Sequence, residues 1–97
     1  MQLRTLVVSL LLIMFAGCVS LPAQQMSDAR QALQAAKAAG AEDPMIEEFK
    51  EASILLNDAN RFLEERRYEL AGKVAQRAKS QALAARRKAV EMKSMQP

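Results

Sequence analysis

The chain has 97 residues, a formal net charge of +3, one cysteine and no histidine or tryptophan. A chain of this length forms at most one small, modestly stable domain, and its side chains hold no internal disulfide and no inventory for catalysis. Alanine occurs 17 times after Cys18 while Phe and Tyr together occur only three times there, so helix formers dominate, bulky core residues are scarce, and an all-α fold is expected.

Met1 to Arg4 is a short, positively charged start, Leu6 to Phe15 is apolar, and Ala16-Gly17 supplies the small residues a peptidase needs before its cut. This is the layout of an export signal, which a helix would carry. Phe15-Ala16-Gly17-Cys18 resembles the lipobox of bacterial lipoproteins. The resemblance implies that residues 1–17 are a cleaved signal peptide and that Cys18 becomes the acylated first residue. An uncut membrane helix is the plainest alternative, but spanning a bilayer takes roughly 20 apolar residues, and Ser20 and Pro22 close the run early. A soluble export signal is the other. Three acyl chains on Cys18 would make release from the membrane negligible, since each buried methylene contributes about 0.8 kcal/mol. In such lipoproteins an aspartate after the cysteine favours the inner membrane; here Val19 and Ser20 follow, which favours the periplasmic face of the outer membrane.

Residues 18–26 have no period and contain Pro22, and are expected to form a flexible tether reaching at most roughly 25 Å. Asp28 and Gln31 have capping-box spacing, and Ala29, Ala32, Leu33 and Ala36 then repeat at helical intervals until Gly40, predicting a short helix over about 28–39 with Leu33 its only large apolar side chain. Asp43-Pro44 is a helix-start signal and opens a second helix over about 44–65, with Met45, Phe49, Leu56 and Leu63 on its apolar stripe. From Tyr68 the seam is Ala71, Ala75, Ala78, Ala82, Ala85, Ala89 and Met92, a heptad pattern predicting a helix over about 68–93 that a neighbour can approach closely. An antiparallel hairpin of the last two helices would set Leu56 against Ala75 and Ala78, and Phe49 against Ala82, alternating large with small. The expected domain, residues 27–93, is thus a short first helix plus a long helical hairpin, a small three-helix bundle, with 94–97 a frayed tail. Residues 64–67 lack Gly, Pro, Asn and Asp, so one uninterrupted helix of roughly 75 Å, paired with another chain, stays open.

Two stretches, Ser27-Asp28-Ala29-Arg30-Gln31-Ala32-Leu33 with Ala38-Ala39-Gly40, and Arg67-Tyr68-Glu69-Leu70-Ala71 running on to Ala75, Ala78 and Ala82, are similar to the domain of unknown function 4398 family. The likeness covers nearly all of the chain after Cys18. It implies a helical envelope lipoprotein, with no catalytic residues to carry over; Arg66-Arg67 stands where that family commonly has an aspartate or glycine before the tyrosine.

Charge is divided along the chain: Val19 to Glu65 carries four basic and nine acidic residues, Arg66 to Pro97 nine basic and two acidic. Lys79, Arg86, Arg87, Lys88 and Lys93 are candidates for contact with an anionic surface, lipid head groups or peptidoglycan; pairing with Glu48 and other acids of the second helix is the simpler role. Glu47, Glu48 and Glu51 would make at most a loose metal site and suit compensation of the helix dipole better, so no metal and no cofactor beyond the lipid on Cys18 is expected. An export leader excludes nucleic acid as a partner. A trimeric, murein-linked rod is a further alternative, against which stand the interruptions of the heptads at Gly40 and Pro44 and a final Lys93-Ser94-Met95-Gln96-Pro97 in place of a terminal lysine. The expected function is a non-catalytic outer-membrane lipoprotein acting as a helical adapter for an envelope protein or as a self-associating assembly subunit; the alternative is a binder of peptidoglycan or anionic lipid through the basic last helix.

Overall fold

A computed structural model describes residues 2–16 and 22–95, with side chains at 2–10 and 22–95. Among these residues the chain is all helical: α1 (Gln2–Ala16), α2 (Ala23–Ala38), α3 (Glu47–Glu64) and α4 (Tyr68–Ser94). α1 touches none of the other three, whereas α4 packs along both α3 and α2, and α2 and α3 touch each other much less. The bundle is therefore organised around α4.

The reason lies in the alanine seam. Ala71, Ala75, Ala78, Ala82, Ala85 and Ala89 are all buried, none more than 3% exposed, so the backbone of α4 itself is the surface on which its neighbours sit. Leu55, Leu56, Phe62 and Leu70 pack with Met26, Ala29, Ala59, Val74, Ala75 and Ala78. In the middle, Ala32, Ala52 and Ala82 meet, one from each helix, with Leu33 beside them. At the far end Phe49 and Met92 pack with Ala36, Ala41, Ile46, Ala85 and Ala89. Leu56 thus faces the alanines expected for it, but Phe49 faces Ala85 and Ala89, about one helical turn from Ala82. Besides Pro22, the only buried hydrophobic side chains larger than alanine among the described residues are Met26, Ile46 and Val74, which makes a thin core.

Two boundaries differ from the sequence expectation by more than one residue. α2 starts at Ala23, so residues 23–26 are helix and not tether. Pro22 precedes it, its carbonyl accepting the Met26 amide at 3.0 Å, and Met26 is 2% exposed. Burying a methionine contributes about 1.5–3 kcal/mol against about 1 kcal/mol for a cap at Asp28, so the longer helix wins. Asp28 is no N-cap; it accepts from Gln24 Nε2 at 3.5 Å.

α3 starts at Glu47, not at Pro44. The Asp43 carboxylate accepts the Met45 amide at 2.9 Å and the Asp43 carbonyl the Ile46 amide at 2.9 Å. This is a turn closed by an aspartate onto the backbone two residues on. The turn sends Ile46 into the core at 3% exposed and leaves Met45 outside at 79%, so Ile46, not Met45, is the first apolar anchor of this segment.

The hairpin turns at Glu65-Arg66-Arg67. The Arg67 amide donates to the Phe62 carbonyl at 2.8 Å and the Arg66 amide to Leu63 at 3.0 Å, the paired bonds that end a helix through a left-handed residue. Arg66 is that residue, with φ +62°. The end of α2 repeats the scheme: Ala41 donates to Ala36 and Gly40 to Lys37, both at 3.0 Å, with Gly40 at φ +94°. The arginine turn gains from stacking, since the Arg61 and Arg67 guanidinium carbons each lie 5.1 Å from the Phe62 ring centre. A left-handed non-glycine residue costs about 1–2 kcal/mol. Arg66→Gly is therefore expected to stabilise the bundle by about 0.5–1 kcal/mol, after the extra freedom of glycine in the unfolded chain is deducted. Thermal melting checks this, and a lowered midpoint would show that the exposed Arg66 side chain holds the turn.

Candidate functional site

The leader and the basic face of α4 are the two places where function was expected. Gly17 and Cys18 lie outside the described residues. Phe15 and Ala16 close α1, one residue short of the expected cut after Gly17, and their side chains are not described. Leu3, Leu6, Val7, Val8 and Leu10 of α1 are all exposed. No described helix is long and apolar enough to cross a membrane.

The five candidate basic residues of α4 do not form one patch, because helix packing has engaged some of them. Lys88 forms an ion pair with Glu48 at the start of α3, and Lys79 reaches Asp28 of α2 at 3.9 Å. Lys93 lies across Gly40, its Cε 3.6 Å from where a β-carbon there would sit, and so brings a cation to the negative end of the α2 dipole. Arg86 and Arg87 make no ion pair within the molecule among the described residues. With Leu83, Val90 and Glu91 they line a shallow depression on the outer side of α4; Leu83 is 36% and Val90 52% exposed. Sequence reasoning does not single out Leu83 and Val90; the available signal is their seven-residue spacing off the alanine seam.

Glu48 is held by Lys88. The hydrogen bond from Lys88, and then its own backbone amide at the first turn of α3, hold its pKa below the ordinary 4.5. The same bond, with the charge of Glu48, raises Lys88 above 10.5. A depressed acid stabilises the fold above its unfolded pKa and ceases to as pH falls through the folded value; a raised lysine does so below about 10.5 and ceases as pH rises beyond it. The pair therefore supports the bundle between those limits. Glu48→Gln is expected to melt lower than the parent at pH 7 and to converge with it once the pH is taken below 4.5. A constant gap across that range would show that the carboxylate charge contributes nothing.

No group of three or more His, Cys, Asp or Glu side chains suited to a metal occurs among the described residues, and Glu48 is already committed to Lys88. No polar or charged side chain is buried among them. The chain matches no family model, no curated protein and no solved structure, so the resemblances to lipoproteins and to the domain of unknown function 4398 family rest on the residues quoted for them.

Proposed function

We propose that this chain is a non-catalytic lipoprotein of the outer membrane, held at its periplasmic face by acyl chains on Cys18, and that its bundle is an adapter or assembly subunit of the cell envelope. The observation that carries this reading is an apolar helix, exposed over residues 2–10 and without contact to the bundle among the described residues, that ends two residues before the single cysteine of a lipobox-like motif. Pro22, which already packs against α4, is four residues beyond Cys18, so the bundle would be held within about 14 Å of the acylated residue. A surface so close to the bilayer, with a thin core and exposed Ile54, Leu83 and Val90, suits lateral assembly.

Density-gradient separation of membranes tests the proposal. The parent is expected with the outer membrane, shielded from protease added outside the cell, and Cys18→Ser in the inner membrane or released. The variant banding with the outer membrane as the parent does would end the proposal. A second reading, a binder of peptidoglycan or anionic lipid, is favoured by the unpaired Arg86 and Arg87. It requires salt-sensitive co-sedimentation with purified peptidoglycan or with anionic vesicles.

A further inference from the structure

Two open surfaces lie at the same end of the hairpin, and they are opposite in charge. One is a groove of about 720 Å³ along the start of α3, with Ile46, Phe49 and Ile54 in its lining and Asp43, Glu47 and Glu51 supplying carboxylates. The other is the strip on α4, with Leu83 and Val90 as its apolar residues and Arg86 and Arg87 its cations. The bundle joins α4 to α2 and α3 through only two ion pairs among the described residues, Lys79 with Asp28 and Lys88 with Glu48. Glu47, Glu51, Arg86 and Arg87 make none.

We infer that the bundle pairs with a second copy of itself, the Leu83–Val90 strip of each copy lying in the acidic groove of the other. This rests on the assembly-subunit reading and names its partner. Charge complementarity singles out another copy: an anionic membrane would attract the strip but repel the groove beside it, whereas a second copy satisfies both at once through a two-fold, self-complementary contact. The minority charges agree as well. Each surface carries one group of the opposite sign, Lys50 in the groove and Glu91 in the strip. Reading along α4 from Arg87 to Glu91, and along α3 from Glu47 to Lys50, the signs oppose in order, so the two helices meet running in the same direction.

Sedimentation equilibrium of the full chain in a neutral detergent tests this. The parent is expected to dimerise reversibly, about tenfold more weakly at high salt. Arg86→Glu with Arg87→Glu, and Glu47→Arg with Glu51→Arg, are each expected to weaken dimerisation by about tenfold or more, with helical content by circular dichroism unchanged. An equimolar mixture of the two variants, which restores opposite charges across both contacts, is expected to dimerise within about threefold of the parent. A monomeric parent, undiminished association of either variant, or a mixture that stays monomeric overturns the inference. So does a monomeric parent that floats with anionic vesicles through Arg86 and Arg87, which would give the strip to lipid. Intact mass separates the two levels of the reading: an acylated monomer removes the interface alone, and a dimer without acyl chains removes the envelope location alone.

Discussion

Met26→Ala is expected to be among the most damaging substitutions in the bundle, costing about 2–5 kcal/mol as large-to-small changes in a packed core do. Met26 is 2% exposed and sits where α2 meets Leu55, Leu56, Val74, Ala75 and Ala78. Few side chains can compensate, because the rest of the core is almost wholly alanine. At about 4–8 °C per kcal/mol for a domain of this size, the midpoint of thermal unfolding should fall by on the order of 10 °C or more. Leu33→Ala is the matched control: Leu33 is only half-buried, beside the central alanines, and its loss should cost less. A larger loss at Leu33 than at Met26 would mean that α2 is anchored at its middle and that residues 23–26 do not hold it.

Ala82→Leu tests the seam from the opposite direction. Ala82 is 1% exposed and meets Ala32 and Ala52 in the layer where three helices each contribute their smallest side chain. Apart from half-buried Leu33 that level holds only alanines, so three added carbons must separate backbones or force poor rotamers, at about 1–3 kcal/mol. Ser80, exposed on the same helix, changed to Leu should alter stability by no more than about 0.5 kcal/mol. Equal melting of the two variants would show that α2, α3 and α4 do not meet closely at Ala82.

What the sequence made legible was what repetition encodes. The three-and-four spacing of alanines placed α4 at 68–93 against the observed Tyr68–Ser94, and Gly40 marked the end of α2 because only a residue tolerant of positive φ serves well there. The second turn was expected at 64–67 only from the change of seam and the family likeness, with one continuous helix left open, because Arg66 takes the left-handed conformation without the glycine or asparagine that advertises it; stacking of Arg61 and Arg67 on Phe62 offsets part of the cost. Asp43-Pro44 was ambiguous in a different way. Aspartate accepts a nearby amide both as N-cap and within a turn, and which it does is decided by the burial of Ile46, a tertiary fact. The start of α2 was hidden for the same reason, since nothing local to Pro22 or Met26 announces the pocket formed by α3 and α4.

The basic face divides along the same line. Position in the heptad put Lys79, Arg86, Arg87, Lys88 and Lys93 on one helix, but the carboxylates and the helix end that engage three of them come from chain segments 40 or more residues away. Only the folded arrangement leaves Arg86 and Arg87 free beside Leu83 and Val90.

The proposed role depends first on the acylation of Cys18. Cells fed a palmitate analogue that can be tagged, followed by intact mass measurement of the purified protein, test it most directly. The expected product begins at Cys18, carries the label and has the added mass of two or three acyl chains. An unlabelled chain with a free Cys18 thiol, whether or not residues 1–17 have been removed, would contradict the proposed anchor and the envelope location drawn from it.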